Sequence, residues 1–394
     1  MATMRFSLSS LAFFSMGFRP FFLFACLWAG FALVLWLGIL SGVVVVPTAF
    51  DPASWHAHEM LFGYLGAVFG GFLLTAVPNW TGRPPLKGAG LVGLVCLWLA
   101  GRGVVFVSAH LPALFVALVD LSLMIALVLY LGREITIGKN WRNLPVLVML
   151  SLFIVGNGLF HLSAWQGDYA AGELGFRLGL GVAVMLISLI GGRIVPAFTQ
   201  NWLGQQGVPP QPVFLPRLDV ISMLISGLVL LLWIALGEGS GVGVGLLVMG
   251  SVQGVRLLRW RGHLTVGEPL VWVLHLGYGF VPMGTVALGL SYLHPGWIDP
   301  VSAQHFWMAG AIGLMTMAVM TRASLGHSGQ ALKAGVGTAA LYWFLIAAIV
   351  TRIAGGYAGD LSLIFYSLSA LFWCAGFFGF GVVYGPVLLS PRRV

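Results

Sequence analysis

Long apolar runs separated by short polar breaks dominate the chain. A helix crossing the ~30 Å hydrocarbon core needs about 20 apolar residues. Runs of that length predict twelve membrane-spanning helices, near 20–46, 53–77, 89–108, 113–132, 144–163, 175–200, 218–237, 241–258, 267–290, 301–321, 335–354 and 361–388. The run after Arg19 is too long for the core of a signal peptide and lacks a convincing cleavage site, so it reads as the first span. The pattern predicts an all-α polytopic membrane protein, residues 1–394 forming a single transmembrane domain.

Charge sets the expected orientation. With the N-terminus inside, 16 of the 19 basic residues, among them Arg5, Arg83, Arg193, Arg259, Arg322 and Arg393, fall on the cytoplasmic side. Only Arg102, Arg177 and Arg352 fall on the outer half. This positive-inside bias places both termini in the cytoplasm. Composition agrees: 59% of the 394 residues are hydrophobic and 8% charged, against about 25% charged in soluble domains. The net charge of +8 reads as membrane-surface charge, with no nucleic-acid partner. Cys26, Cys96 and Cys374 lie in unrelated apolar runs, so neither a disulfide framework nor a structural zinc site is expected.

The nine histidines are the candidate chemistry. Imidazole is costly to bury in hydrocarbon, and neutral imidazole is the commonest metal ligand. The orientation places His56 and His58 at the outer start of the second span, His161 at the outer end of the fifth and His305 at the outer start of the tenth. His275 lies about midway along the ninth, and His327 falls on the cytoplasmic side. His56 and His58, two residues apart on a helix, point to different faces. Either they serve two centres, or one is a ligand and the other a propionate or interface contact. Glu59 shares the face of His56 and is expected to orient its imidazole. His305 is the candidate opposite axial ligand of a bis-histidine haem near the outer face. His161 and His275 remain for a second metal, such as copper. Any one of these histidines is equally readable as an interfacial residue bonded to a backbone carbonyl.

Asp120, in the outer half of the fourth span, is a proton-carrier candidate or simply hydrogen-bonded. Arg193 either snorkels to the cytoplasmic face or pairs with an anion. Met315, Met317 and Met320 read as core packing before soft ligands, and most of the 15 tryptophans read as an interfacial belt.

An internal echo is also present. Asp51-Pro52-Ala53-Ser54 and Asp299-Pro300-Val301-Ser302 open the second and tenth spans 248 residues apart. Each pairs an aspartate cap with proline at the first helical position. Gly191-Gly192 and Asn201-Trp202 of the sixth span echo Gly70-Gly71 and Asn79-Trp80. A threefold reading gives four-helix repeats near 1–143, 144–266 and 267–394, similar in architecture to subunit I of the haem–copper oxidases. The histidines that hold copper in the sixth and seventh helices of those enzymes have no counterpart in the same spans here.

Longer motifs carry a closer resemblance: Gly17-Phe18-Arg19-Pro20-Phe21-Phe22, Trp55-His56-Ala57-His58-Glu59-Met60-Leu61-Phe62-Gly63, Gly191-Gly192-Arg193-Ile194-Val195-Pro196-Ala197-Phe198-Thr199, Leu274-His275, and Thr321-Arg322-Ala323-Ser324-Leu325-Gly326-His327-Ser328-Gly329. In these the chain resembles the NnrS family over nearly its whole length. Gln330 departs from the arginine expected after the last motif. The resemblance implies a bacterial inner-membrane protein holding haem, read as b-type, and copper. It implies nitric oxide as ligand or substrate, a link to nitrosative stress and denitrification, and electrons from quinol or a periplasmic donor. His56, His58, Glu59, His275, His305 and His327 carry over as site residues. Two other function classes stay open. One is a transporter of a metal, haem-related or nitrogen-oxide species, with Gly191-Gly192 and Pro196 as a helix break. The other is a haem or copper assembly or sensor protein.

Overall fold

Residues 12–209 and 217–392 are described in a computed structural model of the chain. Arg5 and Arg393 of the charge count lie outside them. The described residues form helices and no strand, and twelve helices are long and apolar enough to cross a membrane. They are α1 (Phe18–Leu40), α2 (Pro52–Thr81), α3 (Ala89–Phe106), α4 (Ala113–Ile137), α5 (Trp141–Gln166), α6 (Leu174–Gln205), α7 (Arg217–Leu236), α8 (Ser240–Leu264), α9 (Pro269–Leu293), α10 (Pro300–His327), α11 (Val336–Gly355) and α12 (Gly359–Leu389). The first ends earlier than its apolar run. Gly42 takes a left-handed φ of 73°, and the amides of Val43 and Val44 both turn back to the Gly38 carbonyl. The β-branched run Val43–Val46 therefore lies outside the helix.

Helix starts follow their caps. Asp51 accepts from the amides of Ala53 and Ser54, each at 3.0 Å, with Pro52 at the first helical position. Asp299 accepts from the Ser302 amide at 2.7 Å ahead of α10. Both helices then change winding behind a histidine. Glu59–Tyr64 of α2 and Phe306–Leu314 of α10 are π-helical. By contrast, α6 runs unbroken through Gly191, Gly192 and Pro196, which removes the helix break expected of a transporter.

The chain divides into two compact units. The first gathers the chain up to Gly179 with Ala323–Ala331 and the segment from Phe377 onward. Here α2 packs on α1 through Gly70 and Gly71. A Cβ on Gly71 would stand 2.6 Å from the Phe22 ring. Thr75 Oγ1 accepts from the Phe18 amide at 3.1 Å. The buried Arg19 guanidinium donates to the Leu388 carbonyl at 2.8 Å and to Ser390, satisfying carbonyls at the end of α12. The second unit holds Leu180–Arg322 and Leu332–Gly376. In it α9 is the central helix. Gly289 crosses Gly243 of α8, and Gly284 admits the Trp307 ring of α10, whose indole N–H donates to the Val281 carbonyl at 3.1 Å.

Candidate metal centre

A buried polar cluster lies inside the first unit, built by four helices of alternating direction. The starts of α2 and α4 and the ends of α3 and α5 come to one level, so residues far apart in sequence meet. His58 and Glu59 come from α2, Arg102 from α3, Asp120 from α4, and Asn157 and His161 from α5. All six are buried, His58 completely.

The contacts form one network. Arg102 donates to both Glu59 carboxylate oxygens at 2.6 Å and to Asp120 Oδ1. Asp120 Oδ2 accepts from Asn157 Nδ2 at 2.8 Å and lies 3.0 Å from His161 Nε2. His58 Nδ1 is 3.0 Å from Glu59 Oε1. On its other side, His58 Nε2 is 3.0 Å from Asn157 Oδ1 and 3.2 Å from Asp120 Oδ2. One guanidinium faces two carboxylates, so the cluster carries a net −1 with both imidazoles neutral. In a low-dielectric interior that residual charge favours a cation, either a proton or a metal ion.

The geometry offers the metal a place. Ligand atoms of His58, Asp120 and His161 all lie within 4.8 Å of one another. Two imidazoles and a carboxylate form a borderline donor set that suits copper, iron(II) or zinc. Glu59 on His58 Nδ1 supplies the outer carboxylate that metal-bound histidines use to fix tautomer and ring orientation. The residues therefore fit the copper that the resemblance implies.

The remaining candidates are distributed elsewhere. His56 points away from His58 and stacks on Trp36, centroids 4.7 Å apart at 18°. Glu59 serves His58 and Arg102 rather than His56, a correction to the expected pairing. In the second unit, His305 directs Nδ1 at the Val301 carbonyl, 2.7 Å away, which fixes its tautomer as haem-bound histidines require. His275 is buried against Thr199 of α6, with Nε2 2.7 Å from the hydroxyl. Arg193 is exposed on α6. His327 closes α10 and lies 5.8 Å from the Phe18 ring, apart from the cluster.

Two cluster members escaped the sequence reading. Arg102 had a visible signal: it is one of three basic residues against the positive-inside bias. Asn157 is an amide between glycines in an otherwise apolar run, and a polar group in a span needs a partner.

Among curated proteins none matches this chain. The family described as NnrS protein matches residues 12–392, nearly the full length, and the chain belongs to that family.

Proposed function

We propose that this chain is a haem- and metal-bearing protein of the bacterial inner membrane that binds or turns over nitric oxide and so protects against nitrosative stress. The observation that carries this reading is the buried His58–Asp120–His161 donor set, with Glu59 behind it. Such a constellation inside membrane spans is expensive without a function. Family membership supports the link to nitric oxide. Nitric oxide is small, neutral and lipid-soluble, so a site enclosed by helices is reachable through the bilayer. His58 and His161 are proposed as ligands of the metal ion, with His275 and His327 as further metal-ligand candidates, and His56, His275 and His305 are proposed as haem-ligand candidates. Asp120 and Glu59 are proposed to orient ligands or move protons, with quinol or a periplasmic carrier as electron source. The haem, when bound, supplies a redox iron that takes nitric oxide as ligand.

The test is an optical spectrum of the detergent-purified protein, oxidised, reduced, and reduced with nitric oxide, together with metal analysis. Reduced haem bands displaced by nitric oxide, and one metal equivalent lost in both His58→Ala and His161→Ala, are the expected results. Protein made with ample haem and copper that carries neither overturns the reading.

A further inference from the structure

We propose that the second unit binds a phosphate group where the start of α7 meets the end of α8, with Arg259 as the donor and the buried Arg256 as the charge behind it. The charge bias sets these helix ends in the cytoplasm, at the level where a leaflet carries its phosphates. The site uses no residue of the His58 cluster and does not depend on what that cluster holds.

A charge count carries the inference. Arg256 of α8 donates through Nε to Asp219 Oδ1 of α7 at 2.8 Å, and Arg259 Nη1 stands 3.6 Å from Oδ2 of the same carboxylate. Among the described residues neither arginine pairs with any other acid. One carboxylate therefore faces two guanidiniums, and the group carries a net +1, the reverse of the −1 at the His58 cluster. Arg256 is 4% exposed, so its charge lies in the protein interior, where water screens it little. Its other bonds go to neutral groups, the Ser188 carbonyl and the Tyr278 hydroxyl, and leave that charge in place.

Arg259 is the way in. Its Nε and Nη1 are enclosed and have no hydrogen-bond partner among the described residues, so Asp219 holds it by charge alone. The side chain is 13% exposed, and Nη2 is the nitrogen left open. Leu258, one residue earlier, is 79% exposed, so lipid chains reach this height beside it. Arg261, two residues on, adds a further cation. Glu268, the other acid at this end of the unit, is tied to the amides of Leu270 and Ala334 and faces Arg322. A guanidinium is shaped for phosphate oxygens, and basic pockets between spans on the cytoplasmic side take phospholipid headgroups. An anionic phospholipid and free inorganic phosphate share that chemistry.

The experiment titrates full-length, delipidated protein in a neutral detergent with phosphatidylglycerol or phosphatidylcholine and counts bound lipids by native mass spectrometry. One phosphatidylglycerol is expected to bind about tenfold more tightly than phosphatidylcholine. Millimolar inorganic phosphate that displaces it identifies free phosphate as the ligand, and a lipid that stays bound identifies the headgroup. Arg259→Gln is expected to weaken this first equivalent about tenfold, the scale of one lost charge-assisted bond. Arg142→Gln, the same charge change at an exposed position of the first unit, is expected to leave it at parental affinity. Asp219→Asn removes the competing carboxylate and is expected to tighten binding about fivefold. Parental affinity in Arg259→Gln, or an equal loss in Arg259→Gln and Arg142→Gln, overturns the inference. If Arg259→Gln fails to fold, unchanged or weaker binding in Asp219→Asn overturns it instead.

Discussion

His58 and Glu59 are neighbours in sequence, yet their side chains meet, Nδ1 3.0 Å from Oε1. On an α-helix adjacent side chains diverge by about 100° and do not face each other. The contact occurs where α2 passes from α to π winding, at the junction between His58 and Glu59. Wider winding turns each residue through a smaller angle, which brings Glu59 towards His58 while leaving it in reach of Arg102. Single π-turns recur at functional sites because they re-aim side chains in this way.

Glu59→Gln tests that contact. The amide still offers an oxygen to His58, but the charge is gone and Arg102 keeps only Asp120 as counter-ion. The fold is expected to survive, while metal affinity at the His58–Asp120–His161 set falls about 10–100-fold, the usual cost of an altered outer partner. A competition titration against a chelator of known affinity reads this directly. Unchanged affinity would remove Glu59 from the site.

Arg102→Met removes the one cation facing two buried carboxylates. Breaking a buried ion pair from one side costs about 3–5 kcal/mol, because a charge is left without compensation. The expected result is a strong fall in thermal unfolding midpoint in detergent. Adding Asp120→Asn to Arg102→Met is expected to recover part of the loss, since it deletes a stranded charge. A double variant no more stable than the single one would mean that Arg102 acts by packing alone.

The spans were legible because a bilayer demands about 20 apolar residues per crossing, whatever the helix packs against. The caps at Asp51 and Asp299 were legible because they are local. Orientation by charge also singled out Arg102, without naming its partners. Those partners sit 43 residues back and 18 ahead, and only the alternating run of helices brings them level. The π-turn behind His58 leaves no periodic trace in an apolar run, so Glu59 was paired with the wrong histidine. The likeness of α2 and α10 extends to this turn, whereas α6 is α-helical throughout.

In the second unit, Gly192 makes room for Arg256. The guanidinium donates to Asp219 at 2.8 Å, to the Ser188 carbonyl at 2.9 Å and to the Tyr278 hydroxyl at 2.8 Å. A Cβ at position 192 falls on the guanidinium. Arginine is flexible, but three bonds pin this one, so it yields only by breaking some of them. Gly192→Ala is expected to cost about 1–3 kcal/mol, the scale of a buried donor left unsatisfied. Thermal unfolding checks it, and parental stability would show that the network re-forms around the methyl group.

Gly156 and Gly158 lie one turn-half apart on α5 and give a controlled comparison. A Cβ on Gly156 would stand 3.0 Å from the Gly179 amide nitrogen and 3.2 Å from the Gly175 carbonyl of α6. Both are backbone atoms, and they yield only if the helices separate. Gly175 and Gly179 are four apart, the small-residue spacing that lets helices approach within a membrane. A Cβ on Gly158 meets only Leu121, at 3.9 Å, an ordinary contact. Gly156→Ala is therefore expected to destabilise by about 1–3 kcal/mol through overpacking. Gly158→Ala is expected to be neutral or slightly stabilising, because alanine is the better helix former. The same pair reports on the metal centre: Asn157 sits between them, and its amide bridges His58 and Asp120. If α5 is forced off α6, that amide moves with it. Gly156→Ala should then weaken metal binding together with stability, while Gly158→Ala leaves both at parental values. Equal behaviour of the two variants would show that the α5–α6 crossing does not position Asn157.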